Sequence, residues 1–268
     1  MAKIIEFPNV RNLRDEVKEL RYKVINLVFD HDDLKAHKAY EIEYKYNKEF
    51  GIREYKLVNL HMTYRKLKEE NRQIDFFTNL GQPIDFQYVS DYISDKFSIN
   101  EKRISEKLAR MNAIDSFINK RVVSAKDFMD INKAYKKVID KINPLLNINS
   151  EAETDLYIKV LEAFSNYDLD FVLSVSNMLD NSFCNYFLFT NNMLYTEKLR
   201  LEKLIEEIVN TIEKIKGSYP WSLERFLTDK KLYNKRNQIL CKRIASLELA
   251  IRGLEEDIKT KLEFYNER

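Results

Sequence analysis

An all-α fold is predicted by three features of the sequence. Only 4 Gly and 4 Pro punctuate 268 residues, against typical contents of about 7% and 5%, so turns are few. Charged residues make up 33% and hydrophobic residues 44%. The hydrophobic residues recur mostly at alternating spacings of four and three, the period of a helix that buries one stripe. Together these predict long helices with coiled-coil-like hairpins, connected by a small number of loops.

The first helix is expected over about 10–29, where Leu13, Val17, Leu20, Val24 and Leu27 form a heptad seam. Asp30-His31-Asp32-Asp33 reads as an acidic break that starts the next helix. That helix is Tyr-rich (Tyr40, Tyr44, Tyr46), with an interruption expected near Gly51. It should end at Leu80-Gly81-Gln82-Pro83, because Gly accepts a left-handed cap and Pro cannot donate the next helical bond. A further helix is expected over about 85–119, with Ser98-Ile99-Asn100 as its candidate break and Ile104, Leu108, Met111, Ile114 and Ile118 on its seam. Two shorter helices follow, at about 125–142 and 151–164. Ser124 with Asp127 starts the first, and Ser150 with Glu153 forms a capping box at the second. Another short helix is expected at about 169–180. Near the C-terminus, Leu201, Leu204 or Ile205, Ile208, Ile212 and Ile215 make one seam. Leu240, Ile244, Leu247, Ile251, Leu254, Ile258 and Leu262 make another. If the first arm begins near Phe183, each arm spans about 34 residues, or roughly 50 Å at 1.5 Å per residue. Gly217 and Pro220 lie between them, so an antiparallel hairpin over 183–216 and 231–265 is expected. Trp221 reads as an anchor over the hairpin end with Phe226 and Leu227, or alternatively as a partner hot spot.

The segment 131–147, INKAYKKVIDKINPLLN, carries a motif. Ile131, Lys133, Ala134, Tyr135, Lys137 and Lys141 stand where the second helix of a J-domain reads I-x-K-A-Y-x-K-x-x-x-K. Pro144 and Asn147 fall in the loop that follows, and Tyr157, Val160 and Glu162-Ala163-Phe164 match the next helix. Over about 122–180 the chain therefore resembles a degenerate J-domain. More loosely, the whole chain is similar to a bacterial group in which a J-like segment is flanked by long helices. The resemblance implies docking of a basic helix (Lys133, Lys136, Lys137, Lys141) and its loop on a seventy-kilodalton heat-shock chaperone ATPase. The signature His slot, however, holds Asn143, and the signature Asp slot holds Leu145. A charge-assisted bond contributes about 1.5–3 kcal/mol, and Leu145 cannot accept one. Stimulation of hydrolysis is therefore not expected. As a loop between helices, 143–147 is expected to tolerate the restoring substitutions Asn143→His and Leu145→Asp.

This reading divides the chain into 1–121, a long-helix region; 122–180, the J-like module; and 181–268, a hairpin. Function is expected to be non-catalytic: a scaffold that binds another protein, with an atypical co-chaperone as the alternative. The candidate partner surface is Lys133, Lys136, Lys137, Lys141, Asn143, Pro144 and Leu145, and oligomers could form through the seams. The formal net charge of +2 gives no bulk pull toward nucleic acid or membrane, so nucleic-acid binding through Lys/Tyr-rich helices ranks last. No cofactor is implied: the four Gly are scattered, and Cys184 and Cys241 show no metal spacing. His31, His37 and His61 read as solvated or capping residues. No apolar run reaches the ~18 residues of a membrane span, and a cytoplasmic protein is expected.

Overall fold

A computed structural model describes residues 8–119, 124–179 and 186–266, and every regular element among them is helical. In chain order the α-helices are α1 (Pro8–Asp33), α2 (Ala39–Tyr46), α3 (Ile52–Asn79), α4 (Phe86–Asn119) and α5 (Ala125–Ile142). They continue with α6 (Glu151–Ser165), α7 (Leu169–Met178), α8 (Asn191–Gly217), α9 (Glu224–Thr228) and α10 (Lys230–Asn266).

Several expected breaks are absent. Asp32 and Asp33 continue α1 and lead into a π-helical segment, Leu34–Lys38. Gly51 ends a second π segment, Asn47–Gly51, instead of interrupting the helix. A Cβ placed there would lie 2.7 Å from Met111 Cε, so the glycine marks close approach of α4. Ser98-Ile99-Asn100 lies within an unbroken α4. The stop at Gly81 is as expected: its φ is +66°, and Gly81 and Gln82 N–H donate to Thr78 and Phe77 carbonyls.

The chain divides into two compact units. One comprises Met1–Glu41 with Asn119–Ser222, the other Ile42–Ile118 with Leu223–Arg268. Each is assembled from distant parts of the sequence, which replaces the three consecutive domains expected. The C-terminal hairpin is replaced as well, because α8 and α10 belong to different units. In the first, α8 packs along α1. The two run parallel: Lys198 pairs with Glu16 at 2.8 Å, while Val28 and Ile208 line the same cavity further along. In the second, α10 packs along α3, again parallel, with Arg236 on Glu54 and Lys261 on Asp75 at 2.6 Å. The antiparallel partner of α3 is α4, joined by the Gly81 turn, through Lys107–Glu54, Lys96–Glu69 and Lys66–Glu101 pairs; Arg110 of α4 pairs with Glu43 of α2. The physical reason lies in the nature of a seam. It specifies an apolar stripe but not the helix that covers it, and the stripes of α1 and α3 fit those of α8 and α10. The arms are also unequal. Thr190 caps α8, giving it 27 residues against 37 in α10; the expected start near Phe183 lies outside the described residues.

The seams themselves lie where expected. Leu201, Ile205, Ile208 and Ile212 are buried on α8, and Leu240, Ile251 and Ile258 on α10. In the second unit, Ile74, Ile84 and Ile258 form one core cluster. Tyr46, Phe50 and Leu240 form another, which Phe226 and Leu227 join.

Ile74→Ala and Ile258→Ala should each destabilise by about 2–5 kcal/mol. Because the two side chains share a cluster, a double-mutant cycle read by denaturant unfolding should give a coupling of roughly 0.5–3 kcal/mol. Ile208→Ala and Ile251→Ala, expected partners in a C-terminal hairpin, should instead combine additively.

Candidate functional site

The site is built on the α5–α6 pair. Ser124 Oγ accepts the Asp127 N–H at the start of α5, and Ile131, Ala134, Tyr135, Val138, Ile139 and Ile142 form its buried stripe. Pro144 then stops the helix, since it lacks an N–H and pushes its predecessor out of helical conformation. Asn143 accordingly has ψ 127°. The capping box opens α6 as expected, with both Ser150 and Glu153 bonds formed. The motif residues of the two helices pack on each other: Tyr135 stacks on Phe164 with ring centroids 4.0 Å apart, and Val160 and Ala163 are buried.

The expected loop surface is only partly open. Asn143 is 3% exposed. Its Oδ1 accepts the Leu145 N–H at 2.8 Å, and its carbonyl accepts the Leu146 and Asn147 N–H groups. This side chain is a structural part of the turn and not a free loop residue. Arg21 of α1, itself buried, binds the end of α5. Its guanidinium donates to Asp140 Oδ1 at 2.7 Å, the Asp140 carbonyl at 2.6 Å and Asn147 Oδ1 at 3.0 Å. From α8, Arg200 donates to the Leu145 carbonyl at 2.9 Å. Pro144 and Leu145 keep exposed surface. Among the lysines, Lys136 is held by α1, with Nζ 2.8 Å from Asn26 Oδ1 and 4.5 Å from the Phe29 ring centroid. Lys141 lies 3.6 Å from Asp140. Lys133 is exposed and Lys137 half-buried. The basic face is therefore divided by α1. Trp221, the other candidate, is buried at 7% exposure.

The acidic stretch at the end of α1 was read as a break, and the structure makes it the centre of the unit. Asp32 is buried, with Oδ2 accepting from the Tyr135 hydroxyl at 2.7 Å and the Tyr157 hydroxyl at 3.2 Å. Burial, followed by the Asp32 charge, pushes both tyrosine pKa values well up, so both phenols remain donors. Asp32 Oδ1 faces His31 Nδ1 at 2.9 Å. A carboxylate only accepts, so Nδ1 is the donor of this pair. One turn on, His37 is 2% exposed. Its nitrogens lie 2.9 Å from Asp33 Oδ1 and 2.9 Å from the Phe164 carbonyl. Both partners are acceptors. His37 also stacks on Tyr167, centroids 4.0 Å apart, which helps hold Tyr167 at its left-handed φ of 54°. His31 and His37 are thus packing and hydrogen-bonding residues, contrary to the expectation of solvated ones. The periodic signal that could have located them is the spacing Val24, Val28, Asp32, which continues the buried stripe of α1.

Beside this network lies an open cavity of about 480 Å³. Val28, Leu161, Leu204 and Ile208 supply apolar wall, and Asn143, Pro144 and Leu145 one side. His31, Asp32, Tyr157, Glu207 and Thr211 provide its polar groups. Three of the seven residues singled out in the J-like segment therefore line the same cavity, and the lysines do not. Among the described residues, no group of three or more His, Cys, Asp or Glu side chains could hold a metal ion, and no helix is long and apolar enough to cross a membrane.

No family model matches the chain, and neither the curated proteins nor the solved structures contain a match to it.

Removing one phenol should be costly. Tyr135→Phe takes away the shorter bond to Asp32 and should destabilise by about 1–3 kcal/mol in thermal or denaturant unfolding. Acidification should act through Asp33. Burial pushes its carboxyl up, but hydrogen bonds from His37 and Lys38 outweigh this and its pKa lies below the ordinary 3.8. A depressed folded pKa contributes stability above the unfolded value that is lost as pH falls through the folded one. Below about pH 4, wild-type stability should therefore fall more steeply than that of Asp33→Asn, measured as denaturation midpoints from pH 5 to 2.

Proposed function

We propose that this chain is a non-catalytic protein-interaction module built on a degenerate J-domain-like helix pair, and that it does not stimulate a heat-shock chaperone ATPase. The observation that carries this reading is the burial of Asn143 at 3% exposure. The slot from which a J-domain presents its signature His is occupied by a side chain spent on its own turn. Two further features support it. Leu145 carries no charge, and Lys136 is engaged by Asn26 and Phe29 of α1 rather than free to dock. The surface left for a partner is the cavity bordered by Pro144 and Leu145, whose volume lies within the roughly 300–1,000 Å³ usual for binding pockets.

In a steady-state assay with a heat-shock ATPase, the full chain should leave hydrolysis at its basal rate; stimulation would instead favour the atypical co-chaperone. Restoring the signature should not rescue it. Asn143→His puts a ring into a buried turn and should destabilise by about 1–3 kcal/mol, whereas Leu145→Asp, half-exposed, should change stability by about 0.5 kcal/mol or less. Selection of a displayed random peptide library on the immobilised chain should enrich a consensus sequence. No enrichment would overturn the interaction reading.

A further inference from the structure

The cavity is unusual in its hydrogen-bonding capacity: outside the His31 ring, its open polar groups are acceptors. The Tyr157 hydroxyl is spent on Asp32, and the Leu145 N–H on Asn143 Oδ1. Pro144 has no N–H, and Asn143 is buried in its turn. Thr211 donates its hydroxyl proton to the Glu207 carbonyl at 2.8 Å, leaving lone pairs. What faces a ligand is the Glu207 carboxylate together with the Thr211 oxygen. No Lys or Arg lines the cavity. The nearest cation to Glu207, Lys203, lies at 3.7 Å with both side chains largely exposed, a pairing worth little and readily exchanged. Around these acceptors the wall is aliphatic.

We infer that the cavity takes a lysine or arginine side chain of a partner peptide, its cationic head on Glu207 and Thr211 and its aliphatic stem and apolar neighbours against Leu145, Leu204 and Ile208. The inference rests on the interaction reading above and names the chemistry of the partner. A donor-only head matches the Glu207 and Thr211 acceptors, and a carboxylate with no Lys or Arg in the lining supplies charge complementarity. A carboxylate, phosphate or acidic peptide would be repelled by Glu207. The open mouth suits a side chain carried on a continuing backbone.

Isothermal titration of the full chain with the capped peptide Ac-Leu-Lys-Leu-Leu-NH2 tests this. The peptide should bind, its norleucine-for-lysine counterpart at least tenfold more weakly, and the glutamate counterpart not at all. Glu207→Gln, an exposed and conservative change, should weaken the lysine peptide tenfold or more while leaving the melting temperature unchanged. Equal binding of the lysine and norleucine peptides, an unaffected Glu207→Gln, or no binding at millimolar concentration would each overturn the inference. So would n-hexylamine binding as tightly as the peptide, which would point to a free amine as the ligand. A display-selected consensus without Lys or Arg would also sink the inference, yet it would leave the interaction reading standing.

Discussion

A carboxylate removed from water must be met by donors, and Asp32 is met by three. Removing one partner of a buried charge costs several kcal/mol, so α1 can lie against α5 and α6 in few registers. The register observed brings Asp32 to the hydroxyls of Tyr135 and Tyr157. It also brings Arg21 to Asp140 and the following loop and His37 to the Phe164 carbonyl. These polar contacts lie along one helix, from one end of the J-like pair to the other. The apolar contacts around them, such as Phe29 on Phe164 at 5.8 Å, add attraction but would tolerate a slip. The buried charges do not.

That register determines what the J-like pair can do. With α1 laid along α5, the basic face is split: Lys136 turns toward Asn26 while Lys133 remains exposed. The loop that would carry the signature residues is bound from two sides, by Arg21 and Arg200. The same packing leaves the cavity between α1, α6, α8 and the loop. Its wall combines the apolar flank of the seams with the Glu207 carboxylate and the Thr211 hydroxyl of α8.

Some of this was legible in the residues. The apolar stripes of α5, α8 and α10, the caps at Ser124 and Ser150 and the stop at Gly81 follow from local spacing and backbone chemistry. Each appears in the structure where the sequence put it. The J-like motif positions proved to be core positions, because Tyr135, Tyr157 and Phe164 are buried on one another. The role of the acidic stretch 30–33 was not legible, since charged residues ordinarily solvate a surface and the tyrosines that meet Asp32 lie more than a hundred positions away.

The sequence by itself determined that the chain is helical, where most helices begin and end, and which face of each long helix must be covered. Those properties depend on residues within a turn or two of each other. Tertiary structure decided that α1 covers α8 and that α3 covers α10, that the chain forms two interleaved units, and that Asn143 is buried. An apolar stripe accepts any complementary stripe. The choice among them is made by shape and by buried charges such as Arg21 and Asp32, whose partners can be identified only once the helices are in place.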